Sequence, residues 1–178
     1  MSDNLTLQQR HQCMSSIHSS STKPEVRMRH ALWEKGFRYR KNVRSLPGAP
    51  DIVLPMYRTA VFIHGCFWHG HIGCRKYVTP KTNTEYWKNK VTRNQARDQE
   101  VWRQLEAKGW YVVIVWECEL EKRCFDATIN RVVSEIVANG ETNKRLNEER
   151  ALIRQQHLKE RREQVNRHKQ LMSEINLH

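Results

Sequence analysis

Three stretches of the chain have the apolar spacing of amphipathic helices: residues 22–36, 82–108 and 125–138. In each, apolar side chains recur every three or four positions, which places them on one helical face. The first two stretches begin with the capping-box pattern Thr-x-x-Glu and end at or before a glycine. The third is followed by an Asn-Gly pair, which predicts that this helix ends before Gly140.

Four shorter stretches are rich in β-branched and aromatic residues and predict strands: residues 37–43, 51–54, 60–63 and 110–116. Only a short turn separates the second stretch from the third, which favours antiparallel pairing. The last stretch is apolar along its whole length, as is typical of a central strand. Strands and helices in this order predict a mixed α/β sheet flanked by helices.

The two ends of the chain depart from this pattern. Residues 1–21 are polar and rich in serine, as expected either of an arm that orders on a partner or of an inert tail. Residues 22–140 are the expected globular domain. Residues 141–178 predict a charged amphipathic helix, either a docking or coiled-coil segment or a single solvated helix. Its apolar residues recur at a spacing near seven: Leu146, Ile153, Leu158, Val165 and Met172.

The charge balance of the chain suggests a negatively charged partner. The chain of 178 residues has 31 Lys and Arg against 19 Asp and Glu, a net charge of +12. Such an excess favours a polyanion, and nucleic acid is the commonest one. Five cysteines, an odd number, and a polar N-terminus argue against a secreted disulfide scaffold. No apolar run reaches the ~20 residues of a membrane span, so we expect a cytoplasmic protein.

A cysteine- and histidine-rich loop follows the third predicted strand. Cys66, His71 and Cys74 have the spacing of metal ligands. Cys118 is the best fourth ligand, because it follows the central strand and reaches this loop if the two strands run parallel. Four such ligands predict a structural zinc site. The alternative is a group of buried thiols with a histidine beside them.

Five further polar residues are expected to converge at the same end of the sheet. Antiparallel pairing places Asp51, at the start of one strand, beside His64, at the end of the next. Asp51 suits Mg²⁺, and His69 suits the deprotonation of a water, with Glu25 to orient it. Glu25 is alternatively only a helix cap, and Asp98 either joins the histidines or forms a buried ion pair. Together these residues favour hydrolysis of a nucleic-acid phosphodiester.

Two adjacent aromatic residues, Phe67 and Trp68, lie in the same loop. On a loop stiffened by zinc, such rings can wedge between base pairs and unstack them. Trp87, near the start of the second long helix, is a third candidate for this wedge. For Trp87 the alternative is a place in the hydrophobic core.

Three motifs closely resemble the very-short-patch repair (Vsr) DNA mismatch endonucleases. They are Leu46-Pro-Gly-Ala-Pro-Asp51, Val61-Phe-Ile-His-Gly-Cys-Phe-Trp-His-Gly-His71 and Val113-Ile-Val-Trp-Glu-Cys118. The resemblance runs from about residue 8 to about residue 125. It implies a restriction-endonuclease-like fold with a structural zinc and a Mg²⁺-dependent nick of one DNA strand, 5′ to the thymine of a T:G mismatch. The partners implied are mismatched duplex DNA and mismatch-repair proteins, bound by a monomeric core.

The resemblance also assigns roles. It implies that Asp51 and the backbone carbonyl of Ile63 bind magnesium, that His69 is the general base, and that Glu25 is its partner. His64 and Asp98 become supporting groups at the phosphate. Cys66, His71, Cys74 and Cys118 become the zinc ligands; Phe67, Trp68 and Trp87 become the wedge; residues 8–21 become an arm in the minor groove.

This chain departs from the family pattern in three places. Ile63 stands where the family often has threonine, the Ile72-Gly73 pair moves Cys74 one position later, and residues beyond 140 lie outside the family core. The rival functions are therefore a restriction- or defence-associated nickase of other specificity and a catalytically silent, zinc-stabilised DNA-binding module.

Overall fold

The computed structural model describes residues 21–175, with side chains described up to residue 167. Four strands form one sheet in chain order: β1 (Arg40–Lys41), β2 (Ile52–Leu54), β3 (Thr59–His64) and β4 (Tyr111–Trp116). The first three strands are antiparallel neighbours, and β4 runs parallel to β3. The expected mixed sheet and the parallel placement of the central strands are confirmed.

Three helices cover the two faces of this sheet: α1 (Lys23–Glu34), α2 (Thr84–Ala107) and α3 (Phe125–Ile175). Helix α2 makes the crossover that a parallel β3–β4 pair requires. Its Leu105 packs with Ala60 and Phe62 on one face of the sheet. Helix α1 and the first turns of α3 pack against the other face. That larger core includes Met28, Leu32, Val61, Val113, Val115, Ile129, Val132 and Ile136.

Helix α1 begins as its sequence predicts. The Glu25 carboxylate accepts hydrogen bonds from the Thr22 backbone N–H, at 3.3 Å, and from the Thr22 hydroxyl, at 2.8 Å. These contacts hold the first turn closed. The helix stops before Gly36, whose φ of +88° suits glycine and reverses the chain.

The predicted boundaries of one strand and two helices are wrong. Strand β1 covers only Arg40–Lys41 of the predicted 37–43, because the Phe37 N–H donates a hydrogen bond to the Leu32 carbonyl at the end of α1 and Asn42 turns the chain with φ +49°. Helix α2 begins at Thr84 and not at the Thr82 capping box. The Thr84 hydroxyl instead donates to the carbonyl of Pro80 at 2.9 Å.

The third helix does not end at Gly140 but continues to Ile175. A Cβ at Gly140 would lie 2.6 Å from Cδ1 of Tyr57. The glycine therefore permits close packing of a helix against the turn after β2 and does not mark its end. A glycine in a helix interior can serve either purpose, and sequence alone does not separate them.

The chain divides into two compact units, up to Gly140 and from Glu141 onward. The second unit is helical throughout its described residues. Its apolar side chains are exposed, Leu146 by 41%, Ile153 by 47%, Leu158 by 56% and Val165 by 53%, whereas Met172 lies outside the described side chains. In the described residues no helix is long and apolar enough to span a membrane.

Candidate active site

The ends of β2 and β3 bring Asp51 and the backbone of Ile63 together. Ile52 pairs with Val61, so the residue before β2 lies beside the last residues of β3. The Ile63 N–H donates a hydrogen bond of 2.7 Å to Oδ2 of Asp51. His64 follows Ile63 and is buried. The predicted meeting of these two strand ends is therefore present.

Asp51 lies in an environment that opposes its negative charge. Burial raises the pKa of Asp51 to about 6, the Ile63 N–H works against that rise, and the neighbouring Glu25 carboxylate adds to it. A divalent cation at this position would offset both the burial and the repulsion. The donor set, a carboxylate and a backbone carbonyl oxygen, is of the kind that Mg²⁺ prefers.

His69 is held by Asp98 from helix α2. Its Nδ1 lies 2.5 Å from Oδ2 of Asp98, so a ring with its proton on Nδ1 donates a hydrogen bond to that carboxylate. The ring of His69 also stacks on that of His64, with centroids 3.8 Å apart. Burial is the largest single influence and would raise the pKa of Asp98, but the hydrogen bond from His69 and the charges of His69, His64 and Arg97 together outweigh it and lower that pKa.

The expected partnership of Glu25 with His69 is not what the structure shows. Glu25 is buried, accepts hydrogen bonds from Thr22 and from the Ser21 N–H, and lies 3.6 Å from the Arg29 guanidinium. It lines the same cavity as His69, but its contacts keep it at the start of α1. The carboxylate that contacts His69 comes from helix α2 instead. Of the two alternatives for Asp98, the one beside the histidines is confirmed.

The three aromatic residues form one cluster. The Phe67 centroid lies 5.2 Å from that of Trp68 and 5.3 Å from that of Trp87. All three are half-buried, so Trp87 does not belong to the core. Trp68 also lines the cavity that contains Asp51 and His69. The aromatic cluster and the hydrolytic residues are thus neighbours.

Four ligand atoms converge at the loop after β3. The sulfurs of Cys66, Cys74 and Cys118 and a His71 nitrogen all lie within 4.8 Å of one another. His71 Nδ1 is 3.5 Å from the Cys66 sulfur and 3.4 Å from the Cys118 sulfur. Zinc bonds of ~2.3 Å to sulfur and ~2.0 Å to nitrogen at tetrahedral angles give a ligand separation of about 3.5 Å.

The environment of these ligands also fits a cation. Burial raises the pKa of the Cys66 thiol, and burial likewise raises that of Cys118. Clustered thiols resist ionisation unless a positive charge compensates them. The His71 ring is fixed by stacking on Trp116, with centroids 4.1 Å apart and ring planes only 5° apart. The four side chains are therefore placed so that they could hold a metal ion.

Comparisons with known proteins relate this chain to one family. The family of the DNA mismatch endonuclease Vsr matches residues 2–76. The type II nicking enzyme V.NmeAIP of Neisseria meningitidis is 49% identical over 137 residues, which cover 76% of this chain and 97% of that protein. The DNA mismatch endonuclease Vsr of Escherichia coli is 39% identical over 130 residues, 71% of this chain and 83% of that one.

The chain belongs to the Vsr family. It is accordingly a DNA endonuclease that nicks its substrate, the function class expected from the sequence. The type II nicking enzyme V.XorIIP of Xanthomonas oryzae is a further relative, 46% identical over 67% of this chain and 88% of that protein. Among solved structures, the catalytic domain of the homing endonuclease I-Bth0305I is similar at 18% identity with a TM-score of 0.44, too remote to add to this assignment.

The cavity of this Vsr-family member, about 870 Å³, also contains residues that the sequence did not single out. Arg44, Arg97, Trp102 and Glu117 line it beside the predicted residues. Gln95 donates a hydrogen bond of 3.2 Å to the carbonyl of His69. Little in the sequence marks these residues as part of the cavity. Arg97 is recognisable only as the neighbour of Asp98, and Glu117 only as the neighbour of Cys118. Of the predicted arm, residues 1–21, all but Ser21 lie outside the described residues, and Cys13 lies there too.

Proposed function

We propose that this Vsr-family enzyme nicks one strand of duplex DNA 5′ to the thymine of a T:G mismatch, with Mg²⁺ as its catalytic ion. The nick would open the strand for very-short-patch repair. The relative from Escherichia coli carries the words DNA mismatch endonuclease in its name, which supports this substrate. The position of the aromatic cluster beside the hydrolytic residues is the observation that carries the proposal.

The aromatic cluster and the base belong to one short segment. Phe67, Trp68 and His69 are consecutive, so a base step opened by the aromatic rings lies next to the group that acts on the backbone. Insertion of apolar wedges costs unstacking free energy, and that cost is smallest where the base pair is already mispaired. An enzyme with this arrangement therefore gains selectivity for mismatches before any base is read.

His69 acts in this proposal as the general base. Asp98 holds its Nδ1, which leaves Nε2 to accept a proton from the attacking water. Burial and the nearby His69 lower the pKa of His64 to about 4, so His64 is neutral at physiological pH. A neutral ring stacked on His69 gives support without competing for its proton.

Asp51 and the Ile63 carbonyl are the residues that would hold Mg²⁺. When bound, this ion withdraws charge from the scissile phosphate and stabilises the leaving oxygen. Glu25 and Asp98 also line the cavity, and they would hold water in place around the reacting phosphate. The Cys66, His71, Cys74 and Cys118 site would hold zinc in a structural role, since four protein ligands leave no open position.

A second function is favoured by the names of other relatives. V.NmeAIP and V.XorIIP are described as type II nicking enzymes, and both are more similar to this chain than the Escherichia coli protein is. A nickase with another sequence context or another mispair would use the same hydrolytic residues. The two candidate functions therefore differ in the DNA site that is recognised and share the same hydrolytic chemistry.

One experiment tests the substrate and the magnesium site together. Duplexes labelled on each strand, with a single T:G mismatch or a matched T:A pair, are incubated with the enzyme in Mg²⁺ or without it. Wild type should nick the T:G duplex beside the thymine only with Mg²⁺. Asp51→Asn should lose activity and keep DNA binding, whereas the control Asp126→Asn, an exposed aspartate in the first turn of α3, should be unaffected.

Two results would contradict the proposal. Equal nicking of matched and mismatched duplexes would leave a nickase of other specificity. Unchanged nicking by Asp51→Asn would remove Asp51 from the magnesium site. A panel of the other mispairs in the same sequence context then separates T:G selectivity from general tolerance of distorted DNA.

A further inference from the structure

One face of the helix beyond Gly140 carries basic residues and no acidic residue. Arg150, Arg154, His157 and Arg161 follow one another at steps of four, three and four residues, which places them in one stripe. All four side chains are exposed. The acidic residues between 141 and 167 all lie outside this stripe: Glu141, Glu148, Glu149, Glu160 and Glu163. We call Arg150, Arg154, His157 and Arg161 the basic stripe.

The arginines of the basic stripe have no acidic neighbour on their own helix. Acidic and basic residues three or four apart pair on helix surfaces, and Lys144 and Glu148 do so here at 4.0 Å. The positions three and four away from Arg150, Arg154 and Arg161 contain no acidic residue, and several contain another member of the stripe. Within the described residues none of these three arginines forms an ion pair. The helix thus places like charges together, which destabilises it unless an external anion is bound.

The apolar residues of this helix do not form a seam for a second helix. Leu146 and Ile153 are seven residues apart, and so are Leu158 and Val165. The five-residue step between Ile153 and Leu158, however, turns the second pair about 140° around the helix from the first. A coiled coil requires one continuous apolar line. The charge pattern therefore gives a stronger indication of a partner than the apolar pattern does.

The substrate supplies an anion with the required distribution. From Arg150 to Arg161 the stripe extends about 16 Å along the helix, and duplex DNA carries one phosphate charge per ~1.7 Å of its axis. Arginine is well suited to phosphate because its guanidinium donates two parallel hydrogen bonds. The match with V.NmeAIP covers 97% of that protein but only 76% of this chain, so this chain has residues without a counterpart there.

We propose that the basic stripe binds the phosphate backbone of duplex DNA, independently of base sequence. The contact increases the affinity of the enzyme for any duplex and leaves selection of the nicked site to the globular unit. This inference goes beyond the proposed function, since it applies whichever base pair is nicked. It predicts that loss of the stripe weakens binding to matched and mismatched DNA by the same factor.

The test compares two triple variants of the full-length chain that remove the same charge. Arg150→Gln/Arg154→Gln/Arg161→Gln neutralises the stripe, and Lys144→Gln/Lys159→Gln/Arg162→Gln neutralises three exposed residues outside it. Glutamine keeps helix propensity close to that of arginine and lysine. Fluorescence anisotropy gives the Kd for a matched and a T:G duplex over a series of salt concentrations. Circular dichroism verifies that both variants keep their helix content.

The stripe variant should reduce the slope of log K against log salt by about 2–3, since each lost phosphate contact removes about 0.9. Its nicking rate at saturating DNA should equal that of wild type, and the control variant should keep the wild-type slope. Equal slopes for the two triple variants would overturn the proposal. A second result would also overturn it: the stripe variant changes the molecular mass of the protein in light scattering while its DNA affinity stays constant. The stripe would then be a contact between copies of this chain. The salt slope decides this question even if T:G nicking is absent.

Discussion

At the scale of single residues, Asp51 and His64 make opposite contributions to stability as pH changes. Burial raises the pKa of Asp51 from 3.8 to about 6, so its contribution is fully present below pH 3.8 and is lost as pH rises to 6. Burial lowers the pKa of His64 from 6.5 to about 4, so its contribution is fully present above pH 6.5 and is lost as pH falls to 4. Between pH 4 and 6.5 the two effects largely cancel in the wild-type protein.

Replacement of Asp51 by asparagine should therefore stabilise the protein while it abolishes nicking. At pH 7 without Mg²⁺, we expect the free energy of unfolding to rise by on the order of 2 kcal/mol, because a buried carboxylate with a pKa two units too high has been removed. Asparagine can still accept the Ile63 N–H. The variant should also lose stability more steeply than wild type on acidification from pH 6.5 to 4, since only the His64 effect remains.

Urea unfolding of wild type, Asp51→Asn and Asp126→Asn at several pH values measures this effect. Asp126 is exposed, so its variant should follow the wild-type curve. If Asp51→Asn and wild type are equally stable at pH 7 without Mg²⁺, Asp51 is not held in the unfavourable environment described above.

At the scale of elements, the loop after β3 owes its position to helix α2. Asn94 donates a hydrogen bond of 2.8 Å to the Trp68 carbonyl, Gln95 donates to the His69 carbonyl, and Asp98 contacts the His69 ring. The loop and the helix approach so closely that only glycine fits at position 70. The aromatic cluster and His69, the proposed general base, are therefore both held by one helix.

Gly70→Ala should separate the loop from α2. A Cβ at position 70 would lie 2.6 Å from both Gln95 Nε2 and Val91 Cγ1, on a backbone with φ +66°. Gly73→Ala is a matched control, because Gly73 has φ +77° in the same loop but a Cβ there meets nothing within 4 Å. Both variants bear the backbone strain, and only the first bears the steric clash.

We expect Gly70→Ala to be less stable than Gly73→Ala by about 1–3 kcal/mol and to nick DNA more slowly, because His69 moves with the loop. Thermal unfolding and single-turnover nicking measure the two effects. Similar losses in both variants would show that backbone strain alone decides the position of the loop.

The Gly70 contact illustrates what sequence can and cannot predict here. Periodicity and capping identified the helices, and strand pairing placed Asp51 beside β3, because these depend on local spacing. The partner of His69 depends on how α2 crosses the sheet, and a single sequence contains no signal for that packing. For the same reason the sequence could not show that Gly140 accommodates Tyr57 and does not end a helix.

At the scale of the whole molecule, the four candidate metal ligands come from two segments that are far apart in sequence. Cys66, His71 and Cys74 follow β3, whereas Cys118 follows β4, and helix α2 lies between them. In the second half of this loop Ile72 is 86% exposed, so apolar packing does little to hold that part in place. A metal ion that ties this loop to the end of β4 would therefore provide much of its stability.

Removal of the fourth ligand should destabilise the protein and not merely inactivate it. We expect purified wild type to contain about one equivalent of zinc and Cys118→Ser to unfold at a clearly lower temperature, because binding of a structural metal is folding free energy. Cys124→Ser is the control, as Cys124 is half-buried and lies outside the ligand cluster. Chelation should lower the thermal midpoint of wild type towards that of Cys118→Ser and leave the midpoint of Cys118→Ser unchanged. Two results would contradict this expectation: less than half an equivalent of zinc in wild type, or a thermal midpoint that does not respond to chelation. Either would mean that side-chain packing alone orders the loop. The rigidity of the proposed wedge would then require another explanation.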